Sequence, residues 1–451
     1  MPSLKENKMW NLFDNLPPIS RRNFLIISLK GLAFAFLSRL GSFVLAEPER
    51  KFTGKARSVI QIWMWGGPSH LDTFDPKPEA GRDYCGPLDA PIPTSVEGIR
   101  ISQLLPLLAK QADKYSIIRS LTHGLNSHET AAYRMQTGRL PGGSLVYPGL
   151  GAVVSLFKGY DHGYRQPIPP YIVLTSPQGR FSESGFLGPK YQPLVTGGDP
   201  SKDPFVVEGF ILPGVSQERQ TQRRQLLNSL DTLSKLYPQH PLLQKMEAAT
   251  NSAYESILGE ASQIFDLQQE KPEIRESYGR TWFGQCCLMA RRLVEKGVPY
   301  ITINYQGWDT HKRHFETIQR MMPDLDKGMS TLLAELAEKG LLERTVVWWA
   351  GEFGRTPRIQ WEPPWYGGRG HYGQCFTVVV AGGGFKGGQV VGSSSRTGEE
   401  VKERPVYPED LLGSIYQLLG IDPDGPLPNP RNLDVPVMLP PKAGRLHEIM
   451  G

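Results

Sequence analysis

Beyond its opening segment, this 451-residue sequence has no apolar run long enough to cross a membrane. It also lacks a cysteine framework and a strong excess of charge. Only four cysteines occur, Cys85, Cys286, Cys287 and Cys375, and their spacing fits no zinc motif. Adjacent Cys286 and Cys287 sit in an apolar helical run and read as core. A Cys85–Cys375 disulfide is open to an oxidising compartment but has no local support. The formal charge of +5 is small for this length and gives no argument for nucleic acid. Histidine is scarce, with nine in all. What is plentiful is Gly (48) and Pro (39), which implies many loops between regular elements. With 39% hydrophobic and 21% charged residues, the composition suits one large α/β domain with insertions.

The N-terminus reads as an export signal. Ser20-Arg21-Arg22-Asn23-Phe24-Leu25 is a twin-arginine pattern. A moderately apolar stretch follows, Leu25 to Leu45, and Val44-Leu45-Ala46 offers a small residue before the polar Glu47-Pro48-Glu49. Lys30 and Arg39 interrupt the stretch and make it a poor bilayer span, so an uncleaved anchor is the weaker reading. Residues 1–46 are therefore expected to be the signal, and the mature chain to work in the periplasm or outside the cell. Residues 47–451 are expected to form one domain, with a loop-rich and helical insertion at about 175–275.

Within that domain, apolar runs rich in β-formers predict strands at Ser58–Trp65, Tyr115–Arg119, Tyr171–Leu174, Pro299–Tyr305, Arg344–Ala350 and Phe376–Ala381. Helical spacing marks Leu104–Lys114, Glu129–Thr137, Asn251–Gln269, Ser277–Lys296, Thr317–Lys339 and Pro408–Leu419. Strands alternating with long helices imply a mostly parallel sheet with helices on both faces.

In such sheets, ligands bind at the carboxyl ends of the strands. The loops that follow the predicted strands contain His70, Asp72 and Asp75; His123, Ser127 and His128; Asp309, His311 and His314; and Glu352 and Arg355. A later loop adds Arg369 and His371. Most of the scarce histidines therefore collect where a site belongs. His123 by itself reads as a surface or capping residue. Imidazole nitrogen and carboxylate oxygen together suit zinc, manganese or iron, so Asp309, His311, Glu352 and His371 are read as a metal or anion site.

The segments GGPSHLDTFDPKP, GWDTHKRHF, GEFGRTPR and AGGGFKGG resemble the domain-of-unknown-function family 1501 of secreted bacterial proteins. That family is similar to the sulfatases and the wider alkaline phosphatase superfamily. The resemblance implies a three-layer α/β sandwich with one or two divalent ions (zinc, manganese or calcium) above the sheet edge. It implies metal ligands among His70, Asp72, Asp309, His311, His314, Glu352 and His371. By the same resemblance His128 or Ser127 stands at the nucleophile position, with Arg134 or Arg355 facing the oxyanion. The segment His128 to Arg139 resembles the sulfatase stretch that closes in Leu-Thr-Gly-Arg. The chain also departs from the pattern. It has no Cys-x-Pro-x-Arg, which excludes a formylglycine, and it has Phe353, Gly66-Gly67 and Gly370 where acidic or histidine ligands are usual.

The implied function is an exported hydrolase of sulfate or phosphate esters, small or polysaccharide. The alternatives are a catalytically inactive relative that binds metal, an anionic glycan or an envelope protein, and a structural envelope component.

Overall fold

The computed structural model describes residues 54–177, 184–207, 217–230, 239–240, 263–429 and 431–451. The expected signal, residues 1–46, lies outside them, as does most of the expected helix Asn251–Gln269. The chain divides into two units, residues 48–220 with 255–451 and residues 1–47 with 221–254. Of the second unit, residues 221–230 are described as helix, residue 239 as a turn and residue 240 as irregular. All that follows concerns the first.

Its centre is an eight-stranded sheet. In chain order the strands are β1 (Ser58–Trp65), β2 (Tyr115–Leu121), β3 (Tyr171–Leu174), β4 (Leu194–Val195), β5 (Tyr300–Gln306), β6 (Thr345–Ala350), β7 (Phe376–Ala381) and β8 (Val390–Val391). Their order in space is β8-β2-β7-β6-β1-β5-β3-β4. β1 is central and parallel to both neighbours, with Ile62 beside Ile303 on one side and Trp349 on the other. Only β7 runs antiparallel, against β2 and β6. The mostly parallel sheet is as expected. FTVVVA reads as buried strand in either direction, so the reversal of β7 has no sequence signal.

Strand alternation sends side chains to both faces, and helices cover each. The longer helices are α1 (His128–Thr137), α2 (Leu150–Lys158), α3 (Trp282–Glu295), α4 (His314–Glu338) and α5 (Pro408–Leu418). Ile60, Ile62, Ile172, Ile301 and Ile303 share one core with Phe283, Cys286 and Cys287 of α3 and Met322, Leu325 and Met329 of α4. On the other face Gly151 of α2 lies so close to the Tyr171 ring that a Cβ would stand 2.4 Å from it. Among the described residues, no helix is long and apolar enough to cross a membrane. All four cysteines are free and buried, so Cys85 and Cys375 are not bridged.

Two predicted helices are broken. Leu104–Lys114 holds only the turn Pro106–Ala109 and a 3-10 turn, Ala112–Lys114. Pro106 can open a helix but cannot continue one, and the Asp326 carboxylate of α4 caps the turn by accepting from Leu107 and Leu108 N–H at 2.9 and 2.7 Å. Ser277–Lys296 is split because Gly279 turns at φ 85° and Thr281 then caps α3, accepting from Gly284 N–H at 3.3 Å.

Candidate functional site

The carboxyl ends of β1, β5 and β6 meet at one edge of the sheet. Gly66 and Gly67 end β1 with φ of 111° and 82°, values that L side chains rarely adopt. A Cβ on Gly66 would also stand 2.2 Å from the Asp309 nitrogen, so glycine lets the β1 and β5 loops touch. After β6, Gly354–Arg355 pairs antiparallel with His371–Tyr372 in a short ribbon, which sets His371 directly opposite Arg355. The start of α1 supplies His128.

Four side chains converge here. The Nε2 atoms of His311 and His371 are 2.9 Å apart, and each lies 3.1 Å from Asp309 Oδ1. His128 Nε2 stands 3.4 Å from Asp309 Oδ2. The ligand atoms of His128, Asp309 and His371 all lie within 4.8 Å of one another. All four groups are partly open to solvent.

The partners behind the rings fix which nitrogen faces inward. His371 Nδ1 is 2.8 Å from the Asn126 carbonyl, which can only accept, so that nitrogen carries the proton. Its Nε2 lone pair then points at a carboxylate oxygen. His128 Nδ1 lies 2.6 Å from Glu352 Oε1, and Glu352, fully buried, also accepts from Gly66 N–H at 3.0 Å. Hydrogen bonding to Asp309 and then to Glu352 raises the His128 pKa to about 9, and burial only partly opposes this. For Asp309, burial works against ionisation, but His128 and Arg355 outweigh it and hold the carboxyl far below the usual range. Burial lowers the His311 pKa.

Arg355 is wholly buried. It donates to Asp309 Oδ1 at 2.5 Å, to the Gly67 carbonyl at 3.0 Å and to the Gly66 carbonyl. Phe353 stacks on His371, with centroids 4.5 Å apart, and Trp65 stacks on His128 at 5.8 Å. The phenylalanine that departs from the expected ligand pattern thus packs the imidazoles.

The arrangement fits a divalent ion. Ligands 2.0–2.1 Å from a tetrahedral zinc stand about 3.3 Å from one another, close to the observed triangle of 2.9, 3.1 and 3.1 Å. Both outer ring nitrogens that are defined, on His371 and His128, face an oxygen, the usual backing of a metal-binding imidazole.

The other predicted residues lie elsewhere. Asp72 and His314 form a second cluster with Arg369, and all three are buried. His314 Nε2 is 2.9 Å from Asp72 Oδ2 and its Nδ1 is 2.6 Å from Thr310 Oγ1. Arg369 pairs with Asp72 at 2.8 Å and donates to the Thr356 carbonyl at 3.0 Å. His70 is buried with Nε2 at 2.9 Å from the Gly398 carbonyl. Arg134, expected near an oxyanion, is taken up by Glu409 and the Gly138 carbonyl, because the chain turns at Gly138 against α5. Ser127 caps α1 in an exposed position with no side-chain bond to the helix. His123 is a scaffold residue, with Nε2 at 2.7 Å from the Glu352 carbonyl and Nδ1 accepting from Leu125 N–H at 3.0 Å. Sequence reasoning missed the Asn126 carbonyl, since a backbone acceptor leaves no trace in residue type.

Among solved structures, the chain is similar to a protein of the alkaline phosphatase superfamily from Vibrio parahaemolyticus, with 11% identity and TM-score 0.40. That likeness covers 93% of this chain and 78% of the other. A sulfatase from Pseudoalteromonas sp. is similar at 12% identity and TM-score 0.35, over 90% and 72%. The alkaline phosphatase of the Antarctic bacterium TAB5 is similar at 11% identity and TM-score 0.32, over 74% and 94%. No curated protein matches the chain. Residues 56–450 match the model of the family described as "Protein of unknown function (DUF1501)", and the chain belongs to that family.

Proposed function

We propose that the protein is an exported, metal-dependent hydrolase of sulfate or phosphate esters. The observation that carries the reading is the convergence of His311 Nε2, His371 Nε2 and Asp309 Oδ1 within 3.1 Å of each other, with His128 completing the set. The three atoms face one another closely enough that either a proton on His311 Nε2 or a divalent ion can bridge them. A divalent ion bound there would supply Lewis-acid stabilisation of the ester oxygens and a lowered pKa for water.

The chain's own residues do the rest. Asn126 and Glu352 hold the His371 and His128 rings in orientation. Arg355 fixes the Asp309 carboxylate and adds a permanent positive charge beside the developing oxyanion. Trp65 and Phe353 keep water from the inner side of the imidazoles. His128 points Nε2 into the ligand set, which suits a ligand or proton donor better than a nucleophile. Ser127, exposed just before it, is the candidate hydroxyl nucleophile. Asp72, His314 and His70 are scaffold in this reading.

Arg355 also favours a second reading. A guanidinium already on Asp309 Oδ1 can substitute for an ion, leaving an inactive fold that binds an anion. Turnover decides between them. The first reading expects hydrolysis of 4-nitrophenyl sulfate or phosphate that requires added zinc, manganese or calcium and disappears in Asp309→Ala. No bound metal and no turnover of any sulfate, phosphate or phosphonate ester would move the assignment to the second.

A further inference from the structure

The ribbon that presents Arg355 and His371 is joined by a long loop, and that loop carries aromatic rings with no role in the cluster. Trp361 and Tyr366 are 39% and 57% exposed, far above most aromatic side chains here, and Trp365 is half-buried. Trp361 is anchored, stacked on Phe315 at 5.9 Å. Trp365 faces the site, its ring centroid 6.3 Å from that of His311.

The segment is held rigidly against the site loop. Gln360 N–H donates to the Gly368 carbonyl at 3.0 Å, Gly367 N–H to the Gln360 carbonyl at 2.8 Å, and Trp365 N–H to the Glu362 carbonyl at 2.9 Å. Arg313 N–H reaches the Trp365 carbonyl at 3.0 Å, and Arg369 N–H reaches the Thr310 carbonyl at 3.2 Å. Gly368 comes so close that a Cβ there would stand 1.8 Å from the His311 carbonyl. Tyr366 is held at φ +46°, a backbone conformation that L residues rarely adopt. Exposed cations stand beside the site: Lys312 and Arg313 directly follow His311, with exposed Glu316 3.7 Å from Arg313 and exposed Glu362 on the aromatic loop.

Aromatic rings on a fixed backbone, beside the exposed Lys312 and Arg313, suit a ring with one apolar face and anionic edges. A pyranose is such a ring: its axial C–H groups pack on the electron-rich indole face while hydroxyl and ester oxygens point outward. A protein partner would need a wider continuous apolar area than three rings interrupted by Glu362, Lys312 and Arg313. We propose that Trp365 and Tyr366 form a sugar-stacking subsite that positions an anionic glycan with its ester at Asp309 and His371. This rests on the hydrolase reading for the ester's position, not for the stacking itself.

The test titrates the full chain with dextran sulfate oligosaccharides and with unsulfated dextran of equal length, following tryptophan fluorescence and calorimetry, with metal content measured in every variant. The expected result is binding of the sulfated chain that weakens about 10-fold in Trp365→Ala, less in Tyr366→Ala, and recovers in Trp365→Phe at unchanged metal content. Trp365-dependent binding by protein that carries no metal would support the subsite and sink only the hydrolase reading. Equal binding by wild type and Trp365→Ala, or no binding by metal-loaded wild type, overturns the subsite.

Discussion

Two His–Asp–Arg clusters stand in the loops at the carboxyl edge of the sheet, built from the same residue types. In one, Asp72, His314 and Arg369 are buried, and both His314 nitrogens have partners within 2.9 Å. In the other, Asp309, His128, His311 and His371 are half-open, and three of their atoms crowd one point. A satisfied, dry cluster ties loops together. An open one whose His and Asp atoms face one another has the spacing of a cation site. Composition at a strand end does not separate the two; the partners of the second ring nitrogen do.

The comparison breaks first under deletion. Asp72→Ala leaves Arg369 and His314 buried without their anion and should destabilise the fold by about 3–5 kcal/mol, read as a fall in Tm or in denaturant midpoint. Asp309→Ala leaves the buried Arg355 without its carboxylate, so it too should cost stability, but less than Asp72→Ala because Asp309 is itself half-exposed, and it should weaken zinc binding at least about 100-fold. A stability loss at Asp309 equal to that at Asp72 would erase the distinction.

Glu352→Gln sharpens the open side. It keeps the shape but removes the charge behind His128, and metal affinity should fall about 10- to 100-fold by calorimetric titration.

The smallest effect concerns acid. Burial disfavours the Asp72 carboxylate, yet Arg369 and then His314 outweigh burial and hold its pKa at about 2, below the usual 3.8. A depressed carboxyl stabilises the fold fully above its unfolded value, and this is lost as pH falls from about 4 through 2. Burial also lowers the His314 pKa, so protonation of the unfolded chain below 6.5 pulls the same way. Asp72→Asn should therefore flatten the stability–pH curve between about 4 and 2 by about 2 kcal/mol, seen by denaturation at each pH.

Much of this was legible beforehand. The buried strands are apolar runs, with β1, β5, β6 and β7 each followed by glycine, and scarce histidines in the loops after the strands gather at one edge of the sheet. The sorting of those histidines was not legible. Asp72 and Asp309 both follow a strand and a turn, and only packing shows that Arg369 folds back onto the first. Nor was the pairing of His371 with Arg355, which depends on a ribbon of two residues per strand, too short for a periodic signal. Arg134 lies six residues beyond His128 in the same helix, and the chain turn at Gly138 gives it to Glu409.

Metal analysis of the purified protein tests the central claim most directly, with Asp309→Ala and Asp72→Asn alongside. The account predicts about one divalent ion per chain in the wild type, lost in Asp309→Ala and kept in Asp72→Asn. No ion in the wild type, or an ion that survives in Asp309→Ala, would contradict it.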